Sequence, residues 1–170
     1  MIESAQTPAG EMSDTMWLEK GSLALTKRSI KQGPVTVDVE FKGNKASGSM
    51  NVNGQAKPIA AEVGGALFAE GAGMYNSLAS LPLAEDYSAT FRIFDLQRQK
   101  ATLKQVKVAG AEKVAVPAGS FEAFKLEVTS AEGEPGKITV WVAKDSRRVV
   151  KVTAVIPEMN GAILTSELAQ

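Results

Sequence analysis

The chain has 170 residues, of which 44% are hydrophobic and 22% charged, and its 19 acidic and 19 basic side chains cancel. A chain of this length buries roughly 68–70% of its unfolded surface, so one domain with a real core is expected, and the balanced charge argues against nucleic acid as a partner. Cysteine and histidine are absent, which excludes disulfides, zinc–thiolate sites and the Ser-His-Asp triad. We therefore predict a protein that is not an enzyme and has no metal site or cofactor.

Strand-like segments dominate the first third of the chain. Apolar and polar residues alternate from Val35 to Lys42, which is the period of a strand with one buried face. Asn53-Gly54 is a strong signal for a tight hairpin turn, because both central positions of a type I′ turn require positive φ. Five strands are predicted here, over residues 12–18, 23–30, 35–42, 45–52 and 55–63.

One helix is predicted in the middle of the chain. Apolar residues recur at spacings of three, four and seven over residues 74–81, as on one face of a helix. Gly71 and Gly73 each disfavour a helix interior by roughly 1 kcal/mol relative to alanine, so we expect residues 65–73 to form a flexible approach. Pro82 ends the helix, because the residue before proline is pushed out of helical space.

The second half returns to strands joined by short turns. We predict them over residues 87–96, 101–108, 113–116, 124–128, 138–142, 150–156 and 162–168. Connections this short force neighbouring strands to be antiparallel, so the predicted fold is mainly β, a single strongly curved antiparallel sheet of about ten or eleven strands. The sheet forms an incomplete barrel wrapped around the one short helix, and a closed barrel or a two-sheet sandwich is the competing architecture.

Several charged clusters have both a functional and a structural interpretation. Basic side chains gather in two places, and they suit either peripheral contact with anionic headgroups or solvated charge at sheet edges. Acidic pairs occur at residues 85–86 and at residues 132 and 134, but a carboxylate hydrolase needs two acids facing one cleft. The two basic clusters are Lys27, Arg28 and Lys31, and Lys144, Arg147, Arg148 and Lys151.

The closing strands carry a family resemblance. The phrases EKVAVPAGSFEAFKLEV, ITVWVAKDSRRVVKV and ILTSEL, all within residues 112–168, resemble a bacterial exported family of domains of unknown function. That family is similar in fold to the periplasmic lipoprotein carriers (LolA and LolB-like), which have an incomplete eleven-stranded barrel and a helical lid over an apolar cavity. The resemblance implies a periplasmic or otherwise exported protein, although residues 1–10 lack the basic and apolar regions of a signal peptide.

The resemblance also implies a single domain over residues 1–170, from a natural chain with further N-terminal strands or a signal peptide upstream of DTMWL. The carriers have several lid helices where this chain shows one. The implied function is binding of a lipid-like or other apolar ligand in the sheet concavity; the oligomeric state is left open. The predicted lining is Leu67, Phe68, Met74, Tyr75, Leu78 and Trp141.

Two alternatives to ligand binding stand beside that hypothesis. The concavity can be filled by the chain's own side chains, which would make the domain a structural or accessory module of a larger cell-envelope protein. Trp141 can pack in a core instead of lining a groove. A hydrolase that uses carboxylates alone is the third hypothesis, and no acidic pair in the sequence points to it.

Overall fold

The computed structural model describes residues 2–7, 10–157 and 160–170. Over these residues the chain is mainly β, as predicted, with one α-helix. The strands form two six-stranded antiparallel sheets, so the prediction of a single curved sheet of ten or eleven strands that forms an incomplete barrel is wrong. After the sixth strand the chain leaves the sheet through a glycine-containing loop and the helix, and the sixth and seventh strands do not pair with each other. The sixth and seventh strands therefore each become a sheet edge.

The first sheet is a meander in which each strand pairs with the next. The alternation from Val35 to Lys42 is confirmed, since Val37 and Val39 are buried while Thr36 and Asp38 are exposed. Asn53 and Gly54 both have positive φ, 53° and 82°, as the predicted tight turn requires. The strands are β1 (Ile2–Thr7), β2 (Gly10–Leu18), β3 (Leu25–Gln32), β4 (Val35–Lys42), β5 (Lys45–Val52) and β6 (Gln55–Glu62).

The helix α1 (Ala72–Ala79) begins two residues before its predicted start and includes Gly73. Gly71 precedes it with a φ of 62°, a conformation that glycine adopts at no steric cost. The helix ends at Ala79, two residues before its predicted end at Leu81, and Pro82 follows in a non-helical conformation. Among the described residues, no helix has the length and apolarity needed to cross a membrane.

The second sheet is also a meander. Its longest strand joins two predicted strands, over residues 101–108 and 113–116, into one. The register shifts between Val108 and Gly110, where Gly110 has a φ of 145°. A bulge at glycine thus takes the place of the predicted break. The strands are β7 (Ser88–Asp95), β8 (Lys100–Val116), β9 (Gly119–Ser130), β10 (Lys137–Ala143), β11 (Val149–Ile156) and β12 (Ala162–Glu167).

Each half of the chain has buried apolar side chains of its own. The chain divides into two compact units, one comprising the chain up to Met74 with Arg92–Thr102, and the other Tyr75–Phe91 with Leu103–Gln170. In the first unit, the rings of Phe41 and Phe94 meet edge to face at 5.4 Å. The fully buried side chains include Met16, Val39 and Ile59 in the first unit and Val106, Leu126, Val140 and Val142 in the second. The prediction of a single domain stays a prediction.

Candidate functional site

The residues predicted to line an apolar cavity lie in both units. Leu67, Met74 and Leu78 are buried, and Leu67 belongs to the apolar core of the first unit. Phe68 and Tyr75 are half-buried, and the Phe68 amide donates a hydrogen bond to the Arg92 carbonyl. Core packing accounts for the three buried residues, and their role in holding a ligand stays a prediction.

Trp141 lies on the face of the second sheet opposite the buried valines of β10, as predicted. Its indole N–H donates a 2.6 Å hydrogen bond to Glu112 Oε1, and the ammonium groups of Lys125 and Lys151 lie 5.7 and 5.8 Å from the ring centroid. The indole hydrogen bond, with the nearby Lys125, holds the pKa of the exposed Glu112 carboxyl below its ordinary value. The ring also packs against a small cluster of Val114, Ala123, Ala143 and Val150.

A charged group lies in the interior of the first unit. The Arg28 guanidinium donates to both oxygens of Asp14, with Nη2 to Oδ2 at 2.7 Å, and its Nη1 donates to Glu70 Oε2 at 2.7 Å. Asp14 is only 2% exposed. Arg28 and Asp14 therefore belong to the inward face of the sheet. Of the predicted basic cluster, Lys27 and Lys31 lie on the outward face and Arg28 does not.

The environment of this buried group shifts two pKa values. Burial raises the pKa of Glu70 above its ordinary range, Arg28 opposes the shift, and Asp95 and Asp14 add to it. Burial alone would lower the pKa of Arg28, but its hydrogen bonds and the charges of Asp14 and Glu70 raise it. Arg28 therefore stays charged, and the Glu70 carboxyl takes up a proton more readily than an ordinary glutamate does.

A shallow depression of about 310 Å³ lies on the outward face of the first sheet. Lys27 of β3, Asp38 and Glu40 of β4, and Ser47 and Ser49 of β5 form its polar walls. These residues share the outward face because they occupy two neighbouring cross-strand rows of the register. The depression also borders Val39 and Gly48, which alternate with the wall residues along their strands.

Gly48 is required for the close approach of β4 and β5 beside this depression. A Cβ atom at this position would lie 2.0 Å from the Asp38 carbonyl oxygen and 2.8 Å from Val39 Cα. Both are backbone atoms, which cannot rotate out of the way as a side chain can. The glycine thus permits the local strand geometry from which Asp38, Ser47 and Ser49 project.

The wall residues make few contacts among themselves. Lys27 Nζ lies 3.6 Å from Glu40 Oε1, and Ser29 Oγ donates a 2.8 Å hydrogen bond to Asp38 Oδ1. An ionised carboxylate accepts about four hydrogen bonds, so each acid keeps acceptor capacity for a ligand. The walls combine donors and acceptors and contain no large apolar side chain.

Trp17 lies next to this depression. In the register it stands directly opposite Lys27 on the neighbouring strand, and Lys27 Nζ lies 5.4 Å from the centre of its ring. The side chain is 45% exposed, which is unusual for a residue that normally buries most of its large apolar surface. An aromatic surface and a polar-walled depression therefore adjoin through Lys27.

By its fold and this surface, the chain is an antiparallel β protein with two sheets and a polar depression on the first sheet. The model of one protein family, described as a protein of unknown function (DUF3108), matches residues 3–168. The chain belongs to this family, which confirms the predicted membership of a family of unknown function. Searches of curated proteins and of solved structures give no match.

Proposed function

We propose that the chain is a non-enzymatic, exported binding module that holds a sugar-like polyhydroxyl ligand on the outward face of its first sheet. One observation carries the proposal: the exposed Trp17 adjoins a polar-walled depression of about 310 Å³. This volume is at the lower end of the roughly 300–1,000 Å³ range of small-molecule pockets. Export rests on the resemblance of the closing strands to bacterial exported domains.

The chemistry of the surface suits a sugar ring better than an acyl chain. The hydroxyl groups of a sugar both donate and accept, so the carboxylates of Asp38 and Glu40, the Ser47 hydroxyl and the Lys27 ammonium can each find a partner. The C–H groups of the ring carry a small positive charge and are attracted to the electron-rich face of an indole such as Trp17. A fully apolar ligand would desolvate the charged walls without offering them hydrogen bonds in return.

The two acids favour binding over hydrolysis. Asp38 and Glu40 are two residues apart on one strand face, so their Cα atoms are about 6.6–6.8 Å apart along the strand. Inverting glycosidases hold their two carboxyl groups roughly 6.5–9.5 Å apart, with room for a water molecule between them. Those enzymes place their acids on opposite sides of the scissile bond, whereas Asp38 and Glu40 project in parallel from the same strand. We therefore propose that this surface binds a sugar without hydrolysing it.

The predicted lipid-like ligand and the resemblance to the lipoprotein carriers remain a separate prediction. That prediction requires an apolar cavity bordered by Leu67, Met74 and Leu78, and these side chains are buried. A glycolipid headgroup and a free sugar share the hydroxyl chemistry of the present proposal, so the test must separate a headgroup, a free sugar and an acyl chain.

Saturation-transfer NMR tests the proposal. The chain is mixed with glucose, N-acetylglucosamine, galactose and maltose, and separately with palmitate and an alkyl maltoside below its micelle concentration. We expect saturation of sugar ring protons in at least one mixture. The alkyl maltoside separates the ligand sources: ring signals alone indicate headgroup chemistry, and chain signals indicate the apolar ligand. Turnover to new anomeric signals would contradict the non-enzymatic proposal.

Variants locate the binding site. Asp38→Asn should weaken sugar binding by about tenfold, because a hydrogen bond to a charged group contributes roughly 1.5–3 kcal/mol. Trp17→Ala should also weaken sugar binding, because it removes the indole face that contacts the C–H groups of the sugar ring. Lys31→Ala is the matched control, since Lys31 is an exposed lysine on the same face of β3 but does not border the depression. Equal binding by all three variants, or saturation of palmitate alone, would overturn the proposal.

A further inference from the structure

The edge strands β6 and β12 differ in their protection against pairing with another chain. Along β6, Pro58 has no amide proton, and the Gln99 side chain donates to the Pro58 carbonyl at 3.1 Å while its Oε1 accepts from the Ala60 amide at 3.4 Å. One carboxamide thus occupies the donor and the acceptor that a further strand would use. Both devices are known ways of blocking an edge from pairing with another chain.

The edge strand β12 lacks such protection. All six of its residues are exposed, and Ile163 and Leu164 are 67% and 60% exposed. The strand contains no proline or lysine, and its only charged residue, Glu167, pairs with Lys151 within the same sheet at 2.7 Å. The neighbouring Val155 of β11 is also exposed. Exposed edge strands that carry apolar side chains and no such blocking device are templates for strand addition.

The backbone of β12 offers its free groups in a defined pattern. The Leu168 amide donates to the Val150 carbonyl of β11 at 2.9 Å, so even-numbered residues direct their backbone groups towards β11. In an antiparallel ladder the pattern alternates residue by residue. The amide and carbonyl groups of Ile163, Thr165 and Glu167 therefore point away from the sheet, towards an incoming strand.

We propose that β12 pairs with β12 of a second copy of this chain, antiparallel and centred on Leu164. This register places Leu164 opposite itself, and Ile163 and Thr165 opposite each other. Glu167 falls opposite Gly161, so no like charges face each other. A twofold axis perpendicular to the sheet keeps each side chain on its own face, which is the closed, self-complementary geometry of a symmetric dimer. The second sheet of one copy and the second sheet of the other then form one continuous sheet.

The chemistry of the edge favours a second copy over an unrelated peptide. Pairing a strand with itself satisfies the outward amide and carbonyl groups of Ile163 and Thr165 in both copies and brings the exposed Leu164 side chains together. One pair of six-residue strands buries less than a standard interface of roughly 1,600 Å², so a reversible dimer of modest affinity is expected. This association is independent of the sugar site, which lies on the first sheet.

Single cysteines test the register directly, because the native chain has none. Leu164 faces its own copy as a non-hydrogen-bonded pair, with Cα atoms about 4.5 Å apart, within disulfide range. Under mild oxidation, Leu164→Cys should crosslink to itself. Ile163→Cys or Thr165→Cys should crosslink poorly when it is the only variant present, because the same residue in the two copies would be about 7–8 Å apart. A mixture of the two variants should crosslink efficiently, because residue 163 of one copy lies opposite residue 165 of the other.

Sedimentation of the chain without cysteines provides the second test. The native chain should show a concentration-dependent dimer that Leu164→Lys abolishes, because two ammonium groups would then face each other. Ile2→Lys is the matched control, an exposed apolar residue on the edge strand of the other sheet. Circular dichroism confirms that each variant is folded. A native chain that stays monomeric at high concentration, a dimer that Leu164→Lys leaves intact, or equal self-crosslinking at all three positions would overturn the proposal.

Discussion

Replacing Arg28 by methionine should destabilise the first unit strongly. Methionine retains much of the volume of arginine but removes the guanidinium that donates three hydrogen bonds to Asp14 and one to Glu70. Asp14 is 2% exposed, so its carboxylate would stay buried without a partner. Breaking a buried ion pair on one side typically costs about 3–5 kcal/mol, and we expect Arg28→Met to fall in this range.

The neighbouring lysine provides a matched control. Lys27→Met removes a cation from the same strand, but Lys27 pairs with Glu40 at 3.6 Å on the exposed face. Exposed ion pairs contribute about 0.2–1 kcal/mol. With a urea m value of about 2 kcal/mol/M, Arg28→Met should lower the unfolding midpoint by about 1.5–2.5 M, against less than about 0.5 M for Lys27→Met. Far-UV circular dichroism at pH 7 measures both midpoints.

A double variant separates loss of the pair from loss of the guanidinium. Asp14→Leu combined with Arg28→Met replaces the buried pair by apolar side chains, a change that is often neutral or stabilising. It should therefore recover most of the stability that Arg28→Met loses. The reasoning is refuted if Arg28→Met costs no more than Lys27→Met, since the Asp14 carboxylate would then not depend on Arg28.

Two further predictions concern the same unit. Burial raises the folded-state pKa of Glu70, whose side chain is still 34% exposed, so ionising it favours unfolding. The stability contributed by the protonated form is present below the ordinary glutamate pKa and is lost as the pH rises through the raised value. Urea titrations at several pH values measure the free energy of unfolding. Glu70→Gln should gain stability relative to wild type as the pH rises through this window, whereas Glu62→Gln, at an exposed site, should not. A difference in unfolding free energy between Glu70→Gln and wild type that stays constant with pH contradicts the raised pKa. Gly48→Ala should cost about 1–3 kcal/mol of stability, because the new Cβ would clash with the backbone of Asp38 and Val39. Ser49→Ala, on the neighbouring residue, should cost little. Thermal melting compares the two variants, and equal melting temperatures would rule out the close approach of β4 and β5 at Gly48.

Periodicity and turn chemistry predicted most of the individual strands. Val37 and Val39 are buried and Asp38 is exposed because a side-chain period of two depends only on the local chain. The separation into two sheets was not predictable in the same way. It depends on whether β6 and β7 pair with each other, and no local pattern reports that pairing. The bulge at Gly110 likewise looks like a break between strands in the sequence.

The candidate site was harder to predict than the fold. The sequence predicts a ligand lining of apolar residues near the helix, but buried core residues such as Leu67 and Leu78 have the same composition as a pocket wall. The residues around the depression, such as Asp38 and Ser47, have the pattern of an ordinary solvated strand face. The available signal was Trp17, which alternates with the inward-facing Met16 and must therefore face outward.

The indole N–H signals of the two tryptophans test the proposed sugar site most directly. The chain contains only Trp17 and Trp141, so a ¹H–¹⁵N spectrum shows two indole signals, each assigned by substitution of the other tryptophan. Titration with the sugar that saturation transfer identifies should shift the Trp17 signal along a saturable curve that Asp38→Asn weakens. Trp141 and its hydrogen-bond partner Glu112 both lie in the second unit, so the Trp141 indole signal should not shift. A titration that leaves the Trp17 signal fixed, or moves both signals equally, would contradict binding at the first sheet.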